Sequence, residues 1–303
     1  MALTSRISLG GDESADPEDF LSTSLGVVFP DDATNQHGDA GHRLVYTSPH
    51  LRKPLLLDLA DPVGEVDRGL FSHFLWNASL LLAELVERDT LGVGGAAAGP
   101  GAGVSFHVGG KAVLELGAGA ALPSMMAGLL GARRVVVTDY PAVAVLTTLA
   151  ANIARNIQPA LSPPGAATTP ASSILVRGHS WGELPADDAA FCQPNRHAFD
   201  RVLVADCLWM PWQHANLHRS VGHFLAATAE ARCWIVAGFH TGRGKMRGFF
   251  AAGALRAAGL ALERIWERDC DGVEREWSWD REDDATVRKR WLVVAVLKRA
   301  EGP

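Results

Sequence analysis

From Lys111 to Arg299 the chain alternates short continuous runs of Val, Leu and Ile with longer segments of helical spacing. "KAVLELG", "RRVVVTDY", "SILVRGH", "FDRVLVADCLW" and "ARCWIVAGFHT" read as strands. Strands apolar along their whole length are covered on both faces, as in the middle of a parallel sheet. Between and after them "LPSMMAGLLG", "AVLTTLAANIARNI", "WQHANLHRSVGHFLAATA" and "MRGFFAAGALRAAG" read as helices. In the first of these Pro123 falls in the first turn, where a missing N–H costs nothing. Such alternation restricts the chain to an α/β architecture, a mainly parallel sheet with helices on both faces. The last two strands, "LALERIWERD" and "KRWLVVAVLKR", have no helix between them and should pair antiparallel at the end of the sheet, which makes seven strands in all.

The chain has 303 residues, 48% of them hydrophobic, enough for a sizeable core. Its net charge of -6 offers no general attraction to nucleic acid or to an anionic membrane. No apolar run of about 20 residues predicts a transmembrane helix, and the N-terminal stretch lacks the apolar centre of a signal peptide. Cys192, Cys207, Cys233 and Cys270 form no C-x-x-C pair. A reducing interior therefore fits best, with cytoplasmic location as the default and a nuclear pool left open.

Residues 1–45 are polar and read as largely flexible, with one docked segment near 20–29. Residues 46–303 read as one domain, in which a hairpin and a helix over 46–90 precede the sheet core over 111–299. "HRLVYTSP" and "KPLLLDLA" are the candidate hairpin. "DRGLFSHFLWNASLLLAELVERD" carries Leu70, Phe71, Phe74, Leu75, Ala78, Leu82, Leu85 and Val86 at helical spacing, with Asp67 as a cap. On that helix Trp76 falls off the apolar stripe, so it packs on a neighbouring element or lines a pocket. "GVGGAAAGPGAG" and "PALSPPGAATTPASS" read as flexible loop insertions.

Ligands of open α/β sheets bind at the carboxyl ends of the strands. The first core strand ends in Glu115-Leu116-Gly117-Ala118-Gly119 and the second in Asp139. Glycines let backbone approach a ligand closely, and an acid about 20 residues on can accept both hydroxyls of a ribose. A phosphate-binding P-loop is excluded because no Lys-Ser or Lys-Thr pair follows. A dinucleotide fingerprint needs a small residue where Leu122 stands, next to Pro123. An adenosyl-methionine loop, acid-x-Gly-x-Gly, places its acid near the cationic end of the ligand, and Glu115 fills that position. A glycine turn with no ligand is the remaining reading.

"HFLWNASLLLAELV", "VLELGAGAALPS", "VVVTDYP", "GHSWGE" and "VLVADCLWMPWQHANL" occur in this order, and together they resemble the class I, seven-strand methyltransferases. Within these the chain looks like the lysine-methyltransferase-like family, in the fungal branch called nicotinamide N-methyltransferase-like or elongation-factor methyltransferase. The resemblance spans Leu70 to Arg299. It implies a Rossmann-like seven-strand sheet with an antiparallel last strand, and S-adenosyl-L-methionine as cofactor. It also implies that Trp76 lies against that cofactor and that Gly117, Ala118 and Gly119 wrap its methionine part. Asp139 would hold the ribose, Trp181 would flank the adenine, and Ala205 would touch the ligand from the fourth strand. Asp206 would open the motif Asp206-Cys207-Leu208-Trp209 at the acceptor mouth. Two positions depart from the family pattern: Ala121 replaces a common third glycine, and Trp209 stands where many relatives have tyrosine.

Methyl transfer to nitrogen needs alignment of donor and acceptor, and an amine free of its extra proton. Asp206 is the candidate to orient that amine or accept the proton; the alternative is that it caps a loop or supports the cofactor. Trp209 and Trp212 are candidates for an aromatic wall facing a cation, or for packing of the next helix. His240 and Thr241, after the fifth strand, are placed to edge the pocket. His214 and His218 have the i, i+4 spacing of a metal pair but share an apolar stripe and read as core or rim residues; no metal is expected. Arg288-Lys289-Arg290 reads as a solvated turn.

The acceptor expected is a protein amine, a lysine side chain or an N-terminus, with elongation factor 1-alpha favoured by the resemblance. A small amine such as nicotinamide is the alternative. An NAD-dependent oxidoreductase and a non-catalytic cofactor-binding protein are the readings from other classes.

Overall fold

The computed structural model describes residues 2–10, 35–38, 42–60, 74–93, 99–282 and 284–301. The segment expected to dock near 20–29, the start expected for the long helix at Asp67, and positions 94–98 of the first Gly/Ala loop lie outside these residues.

Before the core lie β1 (Ile7–Gly10), β2 (Gln36–His37), β3 (Arg43–Tyr46), β4 (Leu55–Leu57), β5 (Leu75–Trp76) and α1 (Asn77–Leu91). The expected hairpin forms, with Leu44 opposite Leu57 and Tyr46 opposite Leu55, all four buried. A strand not foreseen, β1, pairs with the other edge of β3. The long helix starts at Asn77, and Trp76 before it is extended (φ -98°, ψ 148°). Its backbone pairs antiparallel with Gln36 of β2. Helical spacing alone could not reveal this, because the competing partner comes from a distant segment. Trp76 is thus a strand residue at the head of α1, and its place off a helical stripe needs no explanation.

The core runs β6 (Ala112–Leu116), α2 (Leu122–Leu129), β7 (Arg134–Asp139), α3 (Val143–Asn156), β8 (Ile174–Gly178), β9 (Arg201–Ala205), α4 (His214–Phe224) and β10 (Arg232–Gly238). It continues with α5 (Arg243–Met246), α6 (Ala252–Ala257), β11 (Leu260–Asp269), β12 (Glu274–Glu276), α7 (Ala285–Lys289) and β13 (Trp291–Arg299). The sheet order is β12-β11-β13-β10-β9-β6-β7-β8. Strands β8, β7, β6, β9 and β10 are parallel, and the last strand, β13, is antiparallel to both of its neighbours, β10 and β11. The fold is therefore the expected mostly parallel α/β sheet with an antiparallel last strand. The three-residue β12 adds an eighth, edge strand, too short to show a period. The last strand lies between β10 and β11 and pairs antiparallel with β11 as expected, although β12 and the short α7 lie between the two in sequence.

Every residue of β6 and β9 is buried. Alternate side chains go to opposite layers: Val113 and Leu203 join α1, α2 and α3, while Leu114, Val202 and Val204 join α4 and α6. Full burial of each such side chain contributes about 1.5–3 kcal/mol. The helix expected over "MRGFFAAGALRAAG" is broken by Ala251, which is extended (φ -62°, ψ 125°). There the Phe249 carbonyl accepts a hydrogen bond from His218 Nε2 (3.0 Å). The loop "PALSPPGAATTPASS" is pinned where flexibility was expected: Thr169 donates its N–H to Gly128 O (2.8 Å) and its hydroxyl to Ala132 O (2.6 Å). The basic run expected as a turn is largely helical, since α7 includes Arg288 and Lys289. Among the described residues no helix is long and apolar enough to cross a membrane.

β6 has β7 on one side and β9 on the other, so the strand order reverses there and a crevice opens outside its carboxyl end. On the far layer α4 sits so close to the end of α6 that a Cβ on Gly222 would lie 2.4 Å from Ala258 O. Gly222→Ala is expected to cost about 1–3 kcal/mol by overpacking. Urea melts test this, and an unchanged midpoint would contradict the close approach of the two segments.

Candidate active site

The loop after β6 turns through left-handed backbone at Gly117 (φ 68°), Gly119 (φ 55°) and Ala121 (φ 65°). Ala121 thus keeps the conformation of a third glycine at a cost of roughly 1–2 kcal/mol. A Cβ on Gly117 would lie 2.7 Å from Cys207 Sγ and 2.9 Å from Trp181 Cζ2, so only glycine fits beneath that indole. Gly119 has open space where a Cβ would go. The loop is tied to β7 by two bonds: Ala118 N–H donates to Thr138 O (3.0 Å), and Gly119 N–H to Asp139 Oδ2 (2.7 Å). Tyr140 N–H donates to Asp139 Oδ1 (2.6 Å). Burial raises the Asp139 pKa, and the two N–H donors oppose that rise without cancelling it.

These groups line a cavity of about 490 Å³ at the reversal point. Trp76, Gly117, Ala118, Gly119, Asp139, Trp181, Ala205, Asp206 and Trp209 all face it. Glu115 does not. Its carboxylate lies fully buried behind the loop, where Oε2 accepts the Ser124 N–H (3.0 Å) near the start of α2. The expected position beside the ligand's cationic end is therefore corrected: Glu115 braces the loop from below. Burial pushes its carboxyl up to about 8; the Ser124 hydrogen bonds oppose this and the nearby Asp139 adds to it.

The wall at Trp181 is built by α4. Ser220 Oγ accepts the Gly182 N–H (2.8 Å) and lies 2.9 Å from His179 Nε2. Burial holds His179 down to about 4, with His223 adding to the effect, so the ring is neutral. Gln213, just before α4, and Asn216 and Arg219 of α4 also line the cavity, as do Phe74 and Ser79. Sequence reasoning singles out none of these five for the site, although Phe74, Ser79, Gln213 and Asn216 lie within the segments that carry the family resemblance.

On the opposite wall Asp206 is buried and bonded to Gly238 N–H and to His240. Trp209 lines the cavity, but Trp212 is 71% exposed and does not, so the expected pair of tryptophans reduces to one. His214 and His218 are core residues: their Nε2 atoms bond to Leu208 O and Phe249 O, each at 3.0 Å, and both rings pack on Phe249. Burial keeps the Cys207 thiol well above its ordinary pKa.

A family model described as lysine methyltransferase matches residues 65–252, a span that contains every residue of this site named above. The chain belongs to the lysine methyltransferase family. It is 27% identical over 235 residues to the protein N-terminal and lysine N-methyltransferase EFM7 of Kluyveromyces lactis, covering 73% of this chain and 74% of that protein. The Schizosaccharomyces pombe protein of the same name is 26% identical over 231 residues, 75% of this chain and 80% of that one. Among solved structures, the ribosomal protein L11 methylase of Lactobacillus delbrueckii subsp. bulgaricus is similar, with a TM-score of 0.41 and 15% identity, over 74% of this chain and 78% of that one.

For this lysine methyltransferase family member, Glu115 makes stability depend on pH. Its folded pKa of about 8 lies above the unfolded value, so its contribution is full below the unfolded pKa and is lost as pH rises to about 8. Glu115→Gln, a neutral mimic of the protonated acid, is expected to lose less stability than the wild type between pH 5 and pH 8. Equal losses in denaturant melts would contradict this. Gly117→Ala is expected to displace Trp181 and be readable as a change in tryptophan fluorescence.

Proposed function

We propose that this chain is an S-adenosyl-L-methionine-dependent N-methyltransferase that acts on a protein amine, a lysine side chain or an N-terminus. One observation carries the reading: two carboxylates, Asp139 and Asp206, reach a single cavity from strands on either side of the glycine loop.

The donor set suits the cofactor. A carboxylate has about four acceptor positions; backbone takes one on each Asp139 oxygen, which leaves capacity for two ribose hydroxyls. The open face at Gly119 gives the methionine part room, and Trp181 offers a flat apolar surface for the adenine. When bound, the cofactor supplies a methyl group on a positively charged sulfur. The rest falls to the protein. Asp206 attracts the cationic amine, orients it, and accepts the proton it must shed before its lone pair can attack. Trp76, read from the resemblance as a cofactor contact, packs on His240 beside Asp206 and is assigned here with Trp209 to the acceptor side, where an aromatic face favours a cation and excludes water.

The names of the curated relatives, protein N-terminal and lysine N-methyltransferase, favour a protein acceptor over nicotinamide. The same kinship favours a methyltransferase over an NAD-dependent oxidoreductase. A translation elongation factor such as elongation factor 1-alpha is the first protein to try, and the cytoplasm is the compartment this reading implies.

The test uses tritiated S-adenosyl-L-methionine and a cell lysate, with protein and small-molecule fractions counted apart. Label in protein is expected, and label confined to small amines would overturn the protein reading. Asp139→Ala is expected to weaken calorimetric cofactor affinity by about 1.5–3 kcal/mol for each hydrogen bond lost to the charged group. Asp206→Asn is expected to keep that affinity while methyl transfer falls roughly 100-fold or more.

A further inference from the structure

Asp206 directly follows β9 in a left-handed conformation (φ 58°), uncommon for a residue with a Cβ. Its own N–H donates to Val236 O (2.8 Å), and Gly238 N–H donates to its Oδ1 (3.2 Å). The imidazole of His240 completes the arrangement: Nε2–H donates to Oδ2 (2.9 Å) and Oδ1 (3.1 Å).

Three further features converge on that ring. It can reach Asp206 because residue 238 is glycine: a Cβ there would lie 2.4 Å from His240 Cε1 and 2.5 Å from Nε2. The Asn35 amide donates to Nδ1 (3.0 Å), which leaves Nε2 as the nitrogen that carries the proton. The Trp76 ring lies against the imidazole, with centroids 4.6 Å apart. Asn35 is itself anchored, since its carbonyl accepts the first N–H of α1, from Asn77 (3.1 Å). The ring thus bridges Asp206 and Trp76, which line the cavity whereas His240 and Thr241 themselves do not, and a segment far away in sequence sets its tautomer.

We infer that His240 is a positioning residue for the acceptor side: it holds Asp206 in place and sets the charge that this carboxylate presents to an incoming amine. The inference rests on the N-methyltransferase reading. With the imidazole neutral, the pair carries one negative charge and attracts an ammonium group. With it protonated, the pair is neutral overall and the attraction is lost. Among the described residues the charged groups facing the ring are Asp206 and Arg288 of α7; Asn35 and Trp76 bring no charge. Burial lowers the His240 pKa, but the Asp206 carboxylate outweighs both burial and Arg288, and the net direction is upward. Attraction of a cationic acceptor therefore grows as pH rises through the His240 pKa.

The test pairs acceptor kinetics with a titration that needs neither cofactor nor acceptor. His240→Ala is expected to lower kcat/KM for the protein acceptor about 10-fold to 100-fold, the scale of a lost hydrogen bond to a charged group. Cofactor affinity stays within a few-fold. His240→Gln, whose amide N–H can replace Nε2–H, is expected to recover part of the loss and to lack the acid limb of the pH–rate profile. Gly238→Ala keeps the imidazole but fills its space, and should behave like His240→Ala. In cofactor-free protein, NMR titration of the His240 ring should give a lower pKa in Asp206→Asn than in the wild type. Wild-type acceptor kinetics in His240→Ala, or a His240 pKa unmoved in Asp206→Asn, would overturn the inference. If the wild type methylates no amine, the parent reading fails, and the NMR comparison still decides whether the pair is coupled.

Discussion

The hydrogen bond from Gly119 N–H to Asp139 Oδ2 is the tie on which the cavity depends. It joins the loop after β6 to the end of β7, so the glycine backbone and the carboxylate take up one fixed relation. Two left-handed glycines make the loop tight enough for that bond to form, and the buried Glu115 braces the start of α2 behind it. A parallel sheet with reversed strand order leaves a crevice at this point by its geometry. The tie converts the crevice into a surface with acceptors on one side and open space on the other.

The opposite wall has a different construction. Asp206 emerges from a fully buried strand, and its direction is set by β10, by the space that Gly238 leaves, and by His240. Trp76 and Asn35 reach the same place from the paired β5 and β2. The core sheet therefore supplies the wall with Asp139 and the glycine loop, while the wall with Asp206 is completed by short elements that precede the sheet. Membership of the lysine methyltransferase family fits this division, since one sheet can serve many acceptors if the covering elements change.

Much of this was legible in the sequence because it rests on local rules. Val and Leu runs of five or six residues show strands without reference to partners, and the Gly117 and Gly119 turn was visible with Asp139 at the right distance. Glu115 was misplaced because spacing cannot tell whether a strand residue points toward the loop or beneath it. Trp76 was read on a helix because apolar spacing continues through Leu75, whereas pairing with Gln36 decides its backbone. Trp212 resembled Trp209 in sequence yet is exposed, because it sits on the short turn Pro211–Gln213 that precedes α4, whereas Trp209, in the loop before that turn, lines the cavity.

By itself the sequence determined the parallel α/β class, the antiparallel last strand and the glycine loop, since these follow from the apolar period and from the steric freedom of glycine. Only the tertiary structure decided that β13 lies between β10 and β11, that Glu115 is buried, and that Asn35, Trp76, Asp206 and His240 meet at one wall. Those contacts join residues as many as 205 positions apart. Distance along the chain carries no record of such meetings; they arise when the layers pack and each buried polar group must find a partner.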